Sequence, residues 1–392
     1  MEREQPLTTL RMRPTAIHQF NELAAPGDAV TNSMLLTRRL FRTLGARSDI
    51  YVGKRAPELS EEVSQYTDYV PSPQQLLFVH HAFGHEFVPW VLGLPDRKVL
   101  VYHNITPAHF FSIGTPRHRD AELGRKQLLE YKDQVVGAIA VSQYNAEELV
   151  ALSYVTPSVV PLVFDLESTT SGHSSQVIIE HNVGIKTILS VGRITPHKCQ
   201  HDVIQAYARF RRIAEQPSQL VLIGSCVDGA YRQYLQHLVL TYGLTEQVKL
   251  LGHVSAEDLR AWYRVAAVLV SMSEHEGFCV PLLEAMSWDV PVAAYASSNI
   301  PATLAGAGVL FRTKEYDEIA SVLKRLVEDE QVRRSIIVRQ RRRVRDFWPS
   351  KLRAELSAAL AMMGIDVGSR VPASYSTGAH LTLQGNLYEH AL

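Results

Sequence analysis

Apolar residues gather in short runs along the chain, and amphipathic stretches separate many of them. Residues 15–20 form the first run, of strand character. A loop follows at 21–28, and residues 30–44 read as an amphipathic helix stopped by Gly45. Brief apolar runs continue at 50–52, 75–80, 98–103 and 135–141. Ser142 then precedes a helix at 145–152, and a run at 159–163 closes this half. The stretch 165–182 is rich in Ser, Thr, Gly and His and reads as a linker. The alternation then restarts. Strands are expected at 187–191, 220–223, 248–251, 266–270 and 292–296, with helices at 201–214, 229–242, 258–264 and 280–288. Two such series predict an α/β protein with two Rossmann-like parallel-sheet lobes facing a central cleft.

The expected boundaries are an N-terminal arm (1–14), a first lobe (15–168), a second lobe (183–345), a last helix (346–364) and a mobile tail (365–392). The 392 residues are 46% hydrophobic and 20% charged, as in a globular protein with a full core. Formal net charge is zero, so no bulk field points to nucleic acid. The three cysteines, Cys199, Cys226 and Cys279, lack metal-ligand spacing and fit reduced thiols in a cytoplasmic setting. Residues 1–14 are too polar for a signal peptide, and no apolar run approaches the ~20 residues needed to span a bilayer.

The chemistry concentrates between residues 271 and 291. Here strand, loop, helix and strand follow one another, with Glu276 in the loop and Glu284 one turn into the helix. The loop Glu276, Gly277, Phe278 and Cys279 leads into Val280. It would present unpaired backbone N–H groups at a helix N-terminus, a ready cradle for phosphate. Carboxylates suit sugar hydroxyls. A phosphate cradle flanked by two carboxylates suggests a nucleotide sugar; a helix cap at Glu276 and a solvated Glu284 would also fit. The loop after strand 187–191 carries Gly192, Arg193 and Lys198. In a parallel sheet it opens on the same edge as Glu276, where two cations could neutralise a diphosphate without a metal. Taken singly, they also read as surface charges. His80 and His103 end two strands of the first lobe, where ligands gather in open parallel sheets. Gly27 and Asp28 sit at a loop tip that would either face a ligand or form a plain tight turn.

The strings VGRITPHK at 191–198, Glu276-x7-Glu284 and PV at 291–292 resemble the retaining family-4 glycosyltransferases of the GT-B fold. So do AVS at 140–142, LGHV at 251–254, and IP at 300–301 with AG at 307–308. The likeness runs over roughly 15–362. YHNITP at 102–107 and PGD at 26–28 further resemble a bacterial subgroup building O-antigen and exopolysaccharide, often from mannosyl donors. The resemblance implies that Arg193 and Lys198 hold the donor diphosphate. Glu284 would bind the ribose, Glu276 the donor sugar, and the backbone of Gly277, Phe278, Cys279 and Val280 the phosphates. His103 would reach the transferred sugar from the first lobe, with Gly27 and Asp28 beside the phosphates or acceptor. No metal or other cofactor is expected, and no protein nucleophile.

Cys279 stands where the family usually has glycine, Asp289 replaces a common turn glycine, and Ala302 a common glutamate. The basic stretch 331–345 would be a solvated helix face or lean on an anionic membrane carrying a lipid-linked acceptor. The last helix would cross back to the first lobe, as in GT-B enzymes. Rival readings are a non-catalytic two-lobed sugar or nucleotide binder, which gives no reason for the four charged residues to occur together, a nucleotide-sugar epimerase, and a phosphorylase, for which no Schiff-base lysine is marked.

Overall fold

The computed structural model describes residues 12–163, 184–226 and 228–367. The predicted linker, nearly all of the arm and nearly all of the tail lie outside them. The first sheet contains β1 (Ile17–Ala24), β2 (Ile50–Arg55), β3 (Ser64–Gln65), β4 (Leu76–His81), β5 (Arg97–Tyr102), β6 (Gly137–Ala140) and β7 (Ser158–Val159). Its order is β3-β2-β1-β4-β5-β6-β7, parallel throughout. The second sheet contains β8 (Lys186–Val191), β9 (Ser218–Ile223), β10 (Val248–Gly252), β11 (Ala266–Ser271), β12 (Val292–Tyr295) and β13 (Val309–Phe311). Its order is β10-β9-β8-β11-β12-β13, again parallel.

Strand order reverses between β1 and β4 in one sheet and between β8 and β11 in the other. These are the switch points where the carboxyl ends of strands leave a crevice. The 192–198 loop follows β8 and the 272–279 loop follows β11, so the second switch point carries both charged loops. Leu269, on β11, is fully buried between neighbours on β8 and β12, as expected of a central parallel strand.

Several elements differ from the sequence expectation. β1 runs on through Asn21 to Ala24, because Leu23 and Ala24 pair with Lys54 and Arg55 of β2. The run at 159–163 yields only the two-residue β7. Helices at Pro116–Tyr131 and Tyr316–Glu328 were not anticipated. The first hides its apolar stripe: its buried face is Ala121, Gly124, Gln127, Leu128 and Tyr131, and Gly124 lies against Gly84 too closely for a side chain. The last helix, Pro349–Met362, does return to the first lobe. Its successor Met363 packs on Gly137 of β6, and Ile365 bridges to Met12. Among the described residues no helix is long and apolar enough to cross a membrane.

The arginine-rich stretch forms the helix Glu330–Val344, and much of its charge is used internally. Arg333 donates to Ala267 and Leu326 carbonyls, Arg341 grips Asp289 at 2.8 and 2.6 Å, and Arg343 donates to the carbonyls of Ala302 and Thr303. Asp289 is left-handed at φ 56°, a conformation that glycine adopts freely and aspartate tolerates moderately well.

Candidate functional site

The second switch point assembles a compact charged group. Strand β8 ends at Val191, and Gly192 turns the chain with φ 148° while its N–H donates to Ile223 at 2.9 Å. A short 3-10 turn, Pro196–Lys198, then delivers Lys198. Buried His197 anchors this loop to its neighbour: its carbonyl accepts from the Glu274 N–H at 2.8 Å and from the Ser273 hydroxyl at 3.3 Å. The two loops are therefore one unit, and Lys198 Nζ meets Glu276 Oε1 at 2.6 Å. Both side chains are mostly buried, which makes this an ion pair of the cleft rather than of the surface.

Glu276 is thus held by Lys198 and does not cap the following helix. The cap position of Val280–Ser287 is Cys279, whose side chain makes no capping bond. Cys279 is left-handed at φ 71°, a conformation that favours glycine. Burial drives its thiol pKa well above the usual range. Among the described residues, no protein acceptor takes the backbone N–H groups of Gly277, Phe278, Cys279 or Val280. Four such donors at a helix N-terminus, beside a lysine, are groups that could hold phosphate oxygens.

Arg193 lies at the mouth of the same loop, open to the cleft. Desolvation by the surrounding protein lowers its pKa first, then the Arg117 charge, while Asp28 and Glu276 oppose the shift. Among the described residues nothing hydrogen-bonds or ion-pairs with its guanidinium, which leaves the fork open to an anion. Glu284 is not a solvated helix residue. Burial raises its pKa, and it accepts from Tyr263 Oη at 2.7 Å.

The first lobe closes over this group. A Cβ on Gly277 would lie 2.7 Å from both Asn104 Cβ and the His103 carbonyl, so the glycine serves close approach of the two lobes. His275 Nε2 bonds Asn104 Oδ1 at 2.6 Å, and Asn104 Nδ2 donates to Asn145 Oδ1 at 3.1 Å and Glu148 Oε2 at 3.2 Å. Arg125 ion-pairs with Glu148 and donates to the Ile105 carbonyl at 2.8 Å. Asn104 is left-handed at φ 77°. This latch of His275, Asn104, Asn145 and Glu148 was missed in the sequence; its one signal is an asparagine at a strand end, a type that tolerates that conformation.

His103 lies beside the latch and bonds His80 at 2.7 Å. Gly27, at φ 74°, faces His253 of the second lobe, with 3.2 Å between a notional Cβ and His253 Cε1. Asp28 caps the helix Ala29–Thr43, accepting from the Thr31 N–H at 2.9 Å and its hydroxyl at 3.1 Å. Of the expected site residues, Arg193, Lys198, Glu276 and the cradle form one cluster. His103 adjoins it, Glu284 lies one turn along its helix, and Asp28 is committed to a cap. Cys199, His201 and Asp202 also lie close together, but the Lys314 ammonium already sits on Asp202 at 2.6 Å.

Residues 175–343 match the profile described as Glycosyl transferases group 1. The C-terminal lobe is a glycosyl transferases group 1 domain. The chain is 27% identical over 221 residues to a D-inositol 3-phosphate glycosyltransferase of Streptosporangium roseum, covering 52% of this chain and 49% of that protein. It is 26% identical over 263 residues to O-antigen chain mannosyltransferase B of Escherichia coli, covering 62% and 68%. The match to the first of these relatives thus spans about half its length. The solved structure of Anabaena Alr3699/HepE in complex with UDP and glucose superposes with a TM-score of 0.66 at 18% identity, over 89% of this chain and all of that one. The two-sheet architecture is the GT-B fold.

Proposed function

We propose that the chain is a retaining glycosyltransferase that moves a hexose, mannose in our reading, from a nucleotide-diphosphate sugar to a glycan or lipid-linked acceptor in cell-surface polysaccharide synthesis. The carrying observation is the set of four N–H groups at 277–280, unpaired among the described residues, beside Lys198 and the Arg193 guanidinium. Charge and donors of this kind stabilise a departing diphosphate, so the proposal needs no metal. Glu284, held by Tyr263, would accept from the ribose hydroxyls, and Glu276 from the donor sugar. The bond from the anomeric carbon to the diphosphate oxygen breaks as the acceptor oxygen bonds that carbon on the same face. The acceptor proton passes to the leaving phosphate oxygen. The relatives' names, an O-antigen mannosyltransferase among them, support the choice of sugar and setting. Exposed Arg342, Arg345 and Trp348 offer a peripheral contact to an anionic membrane at its cytoplasmic face.

Calorimetric titration with GDP-mannose, UDP-glucose and UDP-N-acetylglucosamine tests this reading, beside Lys198→Ala and with a chelator present. One donor should bind with chelator and be lost in the variant. Equal binding by Lys198→Ala would remove the lysine from the site, and abolition by chelator would refute metal-free charge neutralisation.

A further inference from the structure

A buried chain of side chains runs from the first helix to His103, and its hydrogen-bond directions are fixed at one end. The Met34 carbonyl can only accept. Gln19 Nε2 donates to it at 3.0 Å, which turns Gln19 Oε1 toward His80. That oxygen lies 3.1 Å from His80 Nε2 and can also only accept, so Nε2 carries the His80 proton. Burial keeps His80 neutral, its pKa well below the usual value, so its Nδ1 is bare. That bare nitrogen lies 2.7 Å from His103 Nε2, which must therefore be the donor. His103 is neutral too, with burial lowering its pKa to about 3. Its single proton is spent on His80. Its Nδ1 is then an unprotonated acceptor, buried and without a partner among the described residues.

We infer that Gln19 and His80 are positioning residues that lock His103 in one tautomer and leave its Nδ1 as an acceptor for a hydroxyl of the transferred sugar. The sugar half of this inference rests on the functional reading above; the tautomer half does not. The arrangement carries specificity. A hydroxyl can donate to the bare nitrogen. A carboxylate at that position would set lone pair against lone pair, and a deoxy carbon would leave a buried acceptor unpaired, a costly outcome. Sites built to hydrogen-bond a hydroxyl reject analogues lacking it strongly. The chain of bonds thus favours a neutral hexose with that hydroxyl over a uronic acid or a deoxy sugar.

The test is nitrogen NMR of the full chain carrying 15N-labelled histidine, with the two signals assigned by single substitution. Both His80 and His103 should show the proton on Nε2 and a bare Nδ1. A proton on His103 Nδ1, or a charged ring, would overturn the inference. In Gln19→Met, which keeps the volume and removes the anchor, the single tautomer should give way to a mixture at His103, and donor kcat/KM should fall about tenfold or more. An unchanged His103 spectrum in folded Gln19→Met would also overturn it. Expected tautomers in a chain that binds no nucleotide sugar would sink the functional reading and the sugar contact, and leave the positioning role of Gln19 and His80 in place.

Discussion

Single side chains settle how the charged loops can work. Lys198 and Glu276 satisfy each other at 2.6 Å, so under the proposed function a diphosphate would draw the ammonium partly away and free the carboxylate for a sugar. The pair holds both groups in place before the ligand arrives. Glu284 has a different duty. Its bond from buried Tyr263 fixes its direction, and Glu284→Ala should raise the donor KM more than it lowers kcat. The same change strands the tyrosine hydroxyl, at about 1–3 kcal/mol of stability by urea unfolding. An unaltered donor KM would place Glu284 outside the site. Cys279 carries backbone strain, at φ 71°. A β-branched residue fits that conformation worse than cysteine does, so Cys279→Val should destabilise by about 1–2 kcal/mol. Denaturant midpoints would show this, and a neutral change would mean the turn relaxes freely.

At the scale of elements, the decisive contact is the turn at 276–279 against the end of β5. Gly277 has no room for a methyl group, with Asn104 Cβ and the His103 carbonyl both 2.7 Å from its notional Cβ. Gly277→Ala should therefore hold the lobes apart, break the His275 to Asn104 bond and weaken donor binding by about tenfold or more, with little change in the second lobe's own fold. Small-angle scattering and donor titration would check the pair of effects; a closed, normally binding variant would show that the turn can yield. The sequence places the Gly277 N–H in a loop that could cradle phosphate; that its missing side chain also admits the other lobe has no sequence signal of its own.

Across the whole molecule, buried histidines dominate the response to acid. Burial depresses His81 and His275 to about 4, His85 and His103 to about 3, and His197 to about 2, and lowers His80 as well. A depressed folded pKa gives stability that is present above the unfolded value of about 6.5 and lost as pH falls toward the folded value. Glu22, raised to about 7, and Glu284, also raised, act oppositely: their contribution is present below the unfolded value and lost as pH rises through the folded one. The histidines outnumber them, so the thermal midpoint should drop steeply between pH 6.5 and 5. Each histidine contributes up to about 1.4 kcal/mol per pH unit. A midpoint that is flat over that window would show that these rings are charged in the folded state.

The sequence by itself determined the two parallel-sheet lobes and the cluster of Arg193, Lys198 and Glu276, because both rest on local information. Short apolar runs between amphipathic stretches specify βα units, and a strand followed by a glycine-bearing loop sets charge at a sheet edge whatever lies opposite. The tertiary structure alone decided which polar residues meet. Asn104 and His275 are 171 positions apart, and Gln19 and His80 are 61 apart. Hydrophobic periodicity carries no record of such pairs; they exist because folding brings strand ends and facing lobes within hydrogen-bond reach, where each buried polar atom must find a partner or be left for a ligand.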